Sequence, residues 1–219
     1  MEVIGELQYR GLVVGVFEEN CWIVGSRRSG EAICIDPGDE PDKILALARD
    51  MGVGIKMIAN SHGHADHMLG VAGVQRATGA RFVLHAADLE LVRHGWQGLA
   101  ARMGLDVTDP PPEPDGFVRD GESVEVAGVR LRVIGTPGHT PGSVSYYSEG
   151  LLFSGDTLFR DSIGRTDFPG GSVGGSSSSS SAPAGVKRSK WSRSSFDARR
   201  RTWSGGMLPS VQTSTTSFS

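Results

Sequence analysis

Short apolar runs arrive in two batches along the first 160 or so residues, and that spacing restricts the fold more than any other feature of the chain. The first batch is "GLVVGVF" (11–17), "CWIVG" (21–25) and "EAICID" (31–36), separated by turn-forming residues, which predicts an antiparallel meander. "PDKILALARDMG" follows with apolar residues at helical spacing, Pro41 at its start and Gly52 at its end, so a helix is expected there. "IKMIAN" (55–60) is a short apolar strand. "MLGVAGVQRATG" then reads as a helix, "RFVLH" as a strand and "AADLELVRHGW" as another helix. After the proline-rich loop "DPPPEPDG" (109–116) comes the second batch: "ESVEVAG" and "VRLRVIG" with a turn at Ala127-Gly128, then the hairpin-like "SVSYYSEGLLFSGD". Strands in two batches, with helices between or after them, fit a layered α/β protein with mixed sheets better than a purely parallel doubly wound one.

The pattern stops near Ser172. Residues 172–219 contain 16 serines and no sustained apolar period, so they cannot bury enough surface to offset chain entropy. The expected organisation is therefore a folded domain over 1–171 and a disordered Ser/Arg-rich tail over 172–219. Charge divides at the same place, with a net +6 in the tail against −9 in residues 1–171. A basic, serine-rich segment can touch nucleic acid, but a solvated tail without a partner is the simpler reading, and nucleic acid is not an expected partner. The N-terminal stretch "MEVIGELQYRGLVVGV" lacks a basic region followed by a long apolar run, so no secretory signal is expected. No apolar stretch approaches the roughly 20 residues that cross a bilayer, so no membrane association is expected and the cytoplasm is the expected location. Cys21 and Cys34 read as buried thiols, because a disulfide framework needs more cysteines in a shorter chain.

The stretch that carries chemistry is "NSHGHADHMLG" (60–70), in which His62, His64, Asp66 and His67 follow directly on an apolar strand. Histidine offers a neutral nitrogen and aspartate an anionic oxygen, and both suit Zn²⁺ or Fe²⁺. The alternation His62, His64, Asp66 directs side chains to one side of an extended loop, with a rigid strand behind it. Two further stretches repeat that architecture of strand, sharp turn and ligand-type residue. "GTPGHTPGS" (135–143) presents His139, and "LLFSGDTLF" (151–159) presents Asp156, which in isolation could equally cap the following turn.

Together, "SHGHADH", "GTPGHTPGS" and "FSGDTLF" resemble the successive metal-binding motifs of the metallo-β-lactamase-fold hydrolases. "GDTLFRDSIGRTDFPGG" most resembles their glyoxalase II-like (hydroxyacylglutathione hydrolase-like) branch, and "ICIDPGD" (33–39) extends the likeness. The resemblance covers residues 1 to about 172 and implies a four-layer αββα sandwich with a metal pair at one sheet edge. It implies that His62, His64 and His139 hold the first metal, that Asp66 and His67 hold the second, and that Asp156 bridges both. Two zinc ions are the family pattern, with Fe²⁺ the other candidate. The implied reaction is hydrolysis of a small acyl thioester or ester, glutathione-linked in the nearest branch, by metal-bound hydroxide that Asp66 helps to orient. Asp36 is either a residue that holds a ligand histidine or the loop in place, or simply a turn-forming Asp before Pro37. Arg165 stands where relatives carry a basic residue that contacts glutathione; the alternative is a structural pair with Asp161 or Asp167. Asp66-His67, and the absence of any cysteine beyond Cys34, disfavour β-lactam hydrolysis.

The resemblance breaks off where the pattern does. Relatives present one more histidine, in a "GHG"-type turn beyond the bridging Asp, and this chain has none after His139. That implies an incomplete second site and an impaired activity. The segment after about Gly171 resembles a GC-rich gene read out of frame, so the last part of the fold is expected to be truncated or replaced. Two other readings remain open at this point. Persulfide dioxygenases share "HADH" and "GRTDF" but use a single iron, for which His64, His139 and Asp156 would be the matching set. The other is a non-catalytic metal- or nucleic-acid-binding protein.

Overall fold

The computed structural model describes residues 2–103, 107, 109–159, 162–167 and 171–172. Of the chain's two compact units, Met1–Ser189 and Lys190–Ser219, all of these belong to the first. The expected tail over 172–219, and with it the expected replacement of the C-terminal part of the fold, lies outside the described residues but for Ser172.

Eleven strands form two sheets among the described residues. The first sheet contains β1 (Glu2–Ile4), β2 (Leu7–Val14), β3 (Glu19–Ser26), β4 (Glu31–Ile35), β5 (Gly54–Ala59), β6 (Arg81–His85) and β7 (Gly116–Val118), in that spatial order. Pairing is antiparallel from β1 to β4 and parallel from β4 to β7. The second sheet contains β8 (Ser123–Val126), β9 (Val129–Gly135), β10 (Val144–Ser148) and β11 (Leu151–Phe153), all antiparallel. The mixed sheet expected from the two batches is thus present. β1 and β7, three residues each, are additions that carry no run long enough to read in the sequence.

The first sheet is apolar on both faces, and the alternation along its strands shows why. On one face Cys21 and Ile23 of β3, Cys34 of β4, Ile58 of β5 and Phe82 and Leu84 of β6 meet two helices, α1 (Pro41–Met51) and α2 (Val71–Thr78), through Ile44, Leu47, Val71 and Val74. On the other face Val24, Ile33, Ile35, Ala59 and Val83 meet Leu131, Val133, Tyr146 and Phe153 of the second sheet. A strand covered on both sides reads as a continuous apolar run rather than a strict alternation, as "EAICI" and "RFVLH" do. Cys21 and Cys34 are free buried thiols on neighbouring strands, 3.5 Å apart at sulfur.

α1 begins with Pro41, which costs no hydrogen bond in the first turn, and ends at Gly52, whose φ of 68° is the left-handed conformation glycine adopts freely. The helix expected over "AADLELVRHGW" is present, and it is irregular. A 3₁₀ turn at Ala86–Asp88 and a π turn at Leu91–Gly95 precede α3 (Trp96–Met103). No helix among the described residues is long and apolar enough to cross a membrane.

Candidate metal centre

The donor residues expected from the sequence sit just past the ends of strands. Asp36 follows β4, the histidine loop follows β5, His139 follows β9 and Asp156 follows β11. Packing of the two sheets draws those ends together: Val144 N at the start of β10 donates to Ser61 O at 2.8 Å, and Tyr146 Oη donates to Asn60 O at 2.9 Å. Asn60 then closes the loop from the other side, donating from Nδ2 to the carbonyl of His67 at 2.8 Å.

A buried carboxylate ties this loop to the one that bears His139. Asp88 is fully buried and accepts from Gly63 N at 2.9 Å, Gly142 N at 2.7 Å and the Thr140 hydroxyl at 2.6 Å. Gly63 lies between His62 and His64, and Thr140 adjoins His139. A Cβ at Gly142 would collide with the Asp88 carboxylate, so glycine there is required for the approach. On the Asp156 side, Gly155 has φ 47°, and a Cβ would collide with Ser61 Oγ.

His62, His64 and His139 form a nitrogen cluster. His62 Nε2 stands 3.1 Å from His64 Nδ1, which stands 2.8 Å from His139 Nε2. Partners on the far side of two of the rings orient them. Ser61 Oγ lies 3.0 Å from His62 Nδ1, and the Arg165 carbonyl lies 2.8 Å from His139 Nδ1. A carbonyl only accepts, so Nδ1 of His139 carries the proton, and in the neutral ring Nε2 turns a lone pair to the cluster. Burial, with the neighbouring histidines, holds His62 well below the ordinary histidine range, and burial and His139 hold His64 down to about 4. The ligand-ready neutral form is therefore the stable one at neutral pH. A single proton on His64 Nδ1 can serve only one of its two contacts well, whereas one cation satisfies three converging lone pairs. Nitrogens bound to a tetrahedral ion stand about 3.3 Å apart, close to the spacing seen here. The residues fit a divalent metal.

A second group gathers around His67, whose side chain is wholly buried. Its Nδ1 is 3.2 Å from Asp36 Oδ2, and its Nε2 is 3.2 Å from Glu19 Oε2 and 3.6 Å from Asp156 Oδ1. Neither ring nitrogen makes a well-directed hydrogen bond at those distances. Burial opposes a charge on His67, but Glu19, Asp36 and Asp156 outweigh it and raise the ring well above its usual range. Burial works to raise the Asp156 carboxyl, but His67, His139 and His64 hold it below the usual carboxylate range. Burial pushes Glu19 up to about 7. His62, His67 and Asp156 also lie close enough together to share an ion. Asp156 Oδ2 stands 3.5 Å from His139 Nε2, so this carboxylate faces both groups.

Six of the eight residues singled out in the sequence come together here: His62, His64, His67, His139, Asp156 and Asp36. Asp36 takes up left-handed backbone with φ 49°; its Oδ1 accepts from Ser61 N at 2.7 Å while Oδ2 faces His67. Asp66 is not a member of the three donor groups found among the described residues whose atoms lie within 4.8 Å of one another, and its carboxylate acts on His64 through charge. The Arg165 guanidinium is exposed and makes two hydrogen bonds to Asp167, at 2.9 and 2.8 Å, which is one of the two pairings weighed above. Its main-chain carbonyl, not its charge, holds His139. Asp161 lies outside the described residues. Glu19 and Asp88 escaped the sequence reading, since neither belongs to a motif and each is recruited from a distant strand end or turn.

A mixed α/β sandwich whose strand ends converge on a histidine–carboxylate cluster defines a metallohydrolase scaffold. The family model described as the metallo-beta-lactamase superfamily matches residues 14–190, and the chain belongs to that superfamily. It is 29% identical over 160 residues to the hydroxyacylglutathione hydrolase GloC of Haemophilus influenzae, covering 72% of this chain and 75% of that protein. Among solved structures it is similar to TTHA1623 in a di-iron-bound form, with TM-score 0.68, 35% identity, and 78% of this chain and 83% of that one covered. It is also similar to the B3 metallo-β-lactamase BLEG-1, with TM-score 0.71, 28% identity and the same coverage.

Proposed function

We propose that this chain is a metal-dependent hydrolase of acyl thioesters, with glutathione-linked ones as the first substrates to test. The observation that carries the reading is the convergence of His62 Nε2, His64 Nδ1 and His139 Nε2 within 3.1 Å steps, with the His139 proton committed to the Arg165 carbonyl. The name of the Haemophilus relative supports the substrate class, and the di-iron form of TTHA1623 puts iron beside zinc as the ion to test.

In this reading His62, His64 and His139 hold one divalent ion, and His67 and Asp156 belong to a second, with Asp156 facing both. Bound there, such ions polarise a carbonyl and lower the pKa of water, which is the chemistry hydrolysis needs at neutral pH. The chain's own residues do the rest. Asp88 keeps the His62 and His139 loops in register, so the ligands need no rearrangement when substrate arrives. Asp36 turns His67 so that Nε2 faces inward. Asp66, at the same edge, orients the attacking water. Arg165 exchanges Asp167 for a carboxylate of the glutathione moiety, an exposed pairing that costs little to break.

The test is steady-state hydrolysis of acyl-glutathione thioesters by the full chain, before and after chelation and after return of zinc or iron. Thioester turnover that vanishes with chelator and returns with metal is expected. Turnover of a β-lactam but of no thioester would overturn the substrate assignment. Oxidation of a glutathione persulfide by a one-iron form would move the reading to the dioxygenase class.

A further inference from the structure

Three carboxylates face one buried imidazole at His67, and the charge does not balance. Even a protonated ring supplies one positive charge against three carboxyl groups, of which burial pushes Glu19 up to about 7. Among the described residues, the ion pairs of Glu19, Asp36 and Asp156 are all with histidines and none with Lys or Arg. Buried charge in excess is costly unless a cation compensates it. Two of the three have evident employment: Asp36 binds the Ser61 amide and orients Nδ1, and Asp156 stands between the two donor groups. Glu19 has none. It is the first residue of β3, its side chain is only 12% exposed, and its carboxylate reaches inward to 3.2 Å from the Nε2 that Asp36 leaves facing the site. That Nε2 is fully buried and without a hydrogen-bond partner, an orphaned donor atom aimed into the acidic group. Glu19, Asp36 and His67 offer ligand atoms within 4.8 Å of one another.

We propose that Glu19 is a ligand of the second metal, through the carboxylate oxygen that faces His67 Nε2 at 3.2 Å. The proposal rests on the reading that this centre holds metal. It gives the two halves of the centre different chemistry. The three-histidine half suits zinc or iron, whereas a carboxylate-rich half also suits a harder ion such as Mn²⁺.

The experiment is manganese titration of the full chain, counting bound Mn²⁺ by electron paramagnetic resonance, on wild type, E19Q and E19D, with far-UV circular dichroism to verify folding. Wild type is expected to take up about two ions per chain, and E19Q to bind the second at least about tenfold more weakly while keeping the first. E19D keeps the charge but withdraws it by one methylene, so a ligand role predicts loss there too, and this variant decides the matter should E19Q not fold. Equal second-ion affinity in wild type and either folded variant overturns the proposal and leaves the proposed function standing. Uptake of a single ion by wild type overturns it in the same way. No ion bound by wild type would overturn the proposed function beneath it as well.

Discussion

The two halves of the centre are built by opposite means. The half containing His62, His64 and His139 is nitrogen-rich, and its loops are locked by Asp88 and by the Arg165 carbonyl. The half around His67 is carboxylate-rich, drawing on Glu19, Asp36 and Asp156 from the ends of three different strands and turns. In the first, neutral ligands are held ready and wait for charge. In the second, three carboxyl groups crowd one buried imidazole. The difference teaches that one edge of a sandwich can present two electrostatic environments a few ångströms apart, which suits an asymmetric metal pair.

The largest effect should come from removing a nitrogen of the first half. H139A is expected to lose the first ion and, with it, about 4 kcal/mol of transition-state stabilisation, roughly a thousandfold in kcat/KM. Thioester kinetics and metal analysis check this together, and unchanged metal content would break the comparison. Next comes the clamp. D88A leaves the buried amides of Gly63 and Gly142 without their acceptor, and is expected to cost about 3 kcal/mol of stability in denaturant unfolding. It should also weaken metal at the first half more than at the second. Equal loss at both would mean that Asp88 supports the whole edge rather than one side of it.

D36N sharpens the contrast from the other direction. It removes the charge facing His67 Nδ1, so second-ion affinity is expected to fall about tenfold with the first ion retained. Metal titration reads the difference directly. The smallest effect belongs to R165A. The exposed pair with Asp167 contributes little, so stability should change by less than about 0.5 kcal/mol, and the carbonyl that holds His139 survives the substitution. A severalfold rise in KM for glutathione thioesters at constant kcat is expected; an unchanged KM would remove Arg165 from substrate binding.

What could be read in the sequence follows the same division. His62, His64 and His67 lie in one loop, and His139 and Asp156 each follow a strand with glycine at a tight turn, so short local patterns announce them. α1 was legible because Pro41 and Gly52 punctuate it and its apolar spacing is regular. Glu19 was not. In "ENCWIVG" it reads as an ordinary polar residue at a strand start, and only the approach of His67 and Asp156 in three dimensions makes it a buried donor. Asp88 failed for a related reason. Its segment has helical spacing and is helical, but that spacing does not announce that Asp88, in the opening 3₁₀ turn, is fully buried in bonds to Gly63, Thr140 and Gly142.

The central claim is that His62, His64 and His139 hold a divalent metal, and metal content per chain tests it most directly. Elemental analysis of the desalted full-length wild type and H139A, compared at equal protein, is the measurement. At least one tightly held ion in wild type that is missing from a folded H139A is the predicted result. A wild type free of metal after loading, or an H139A that retains the same ion, would contradict it.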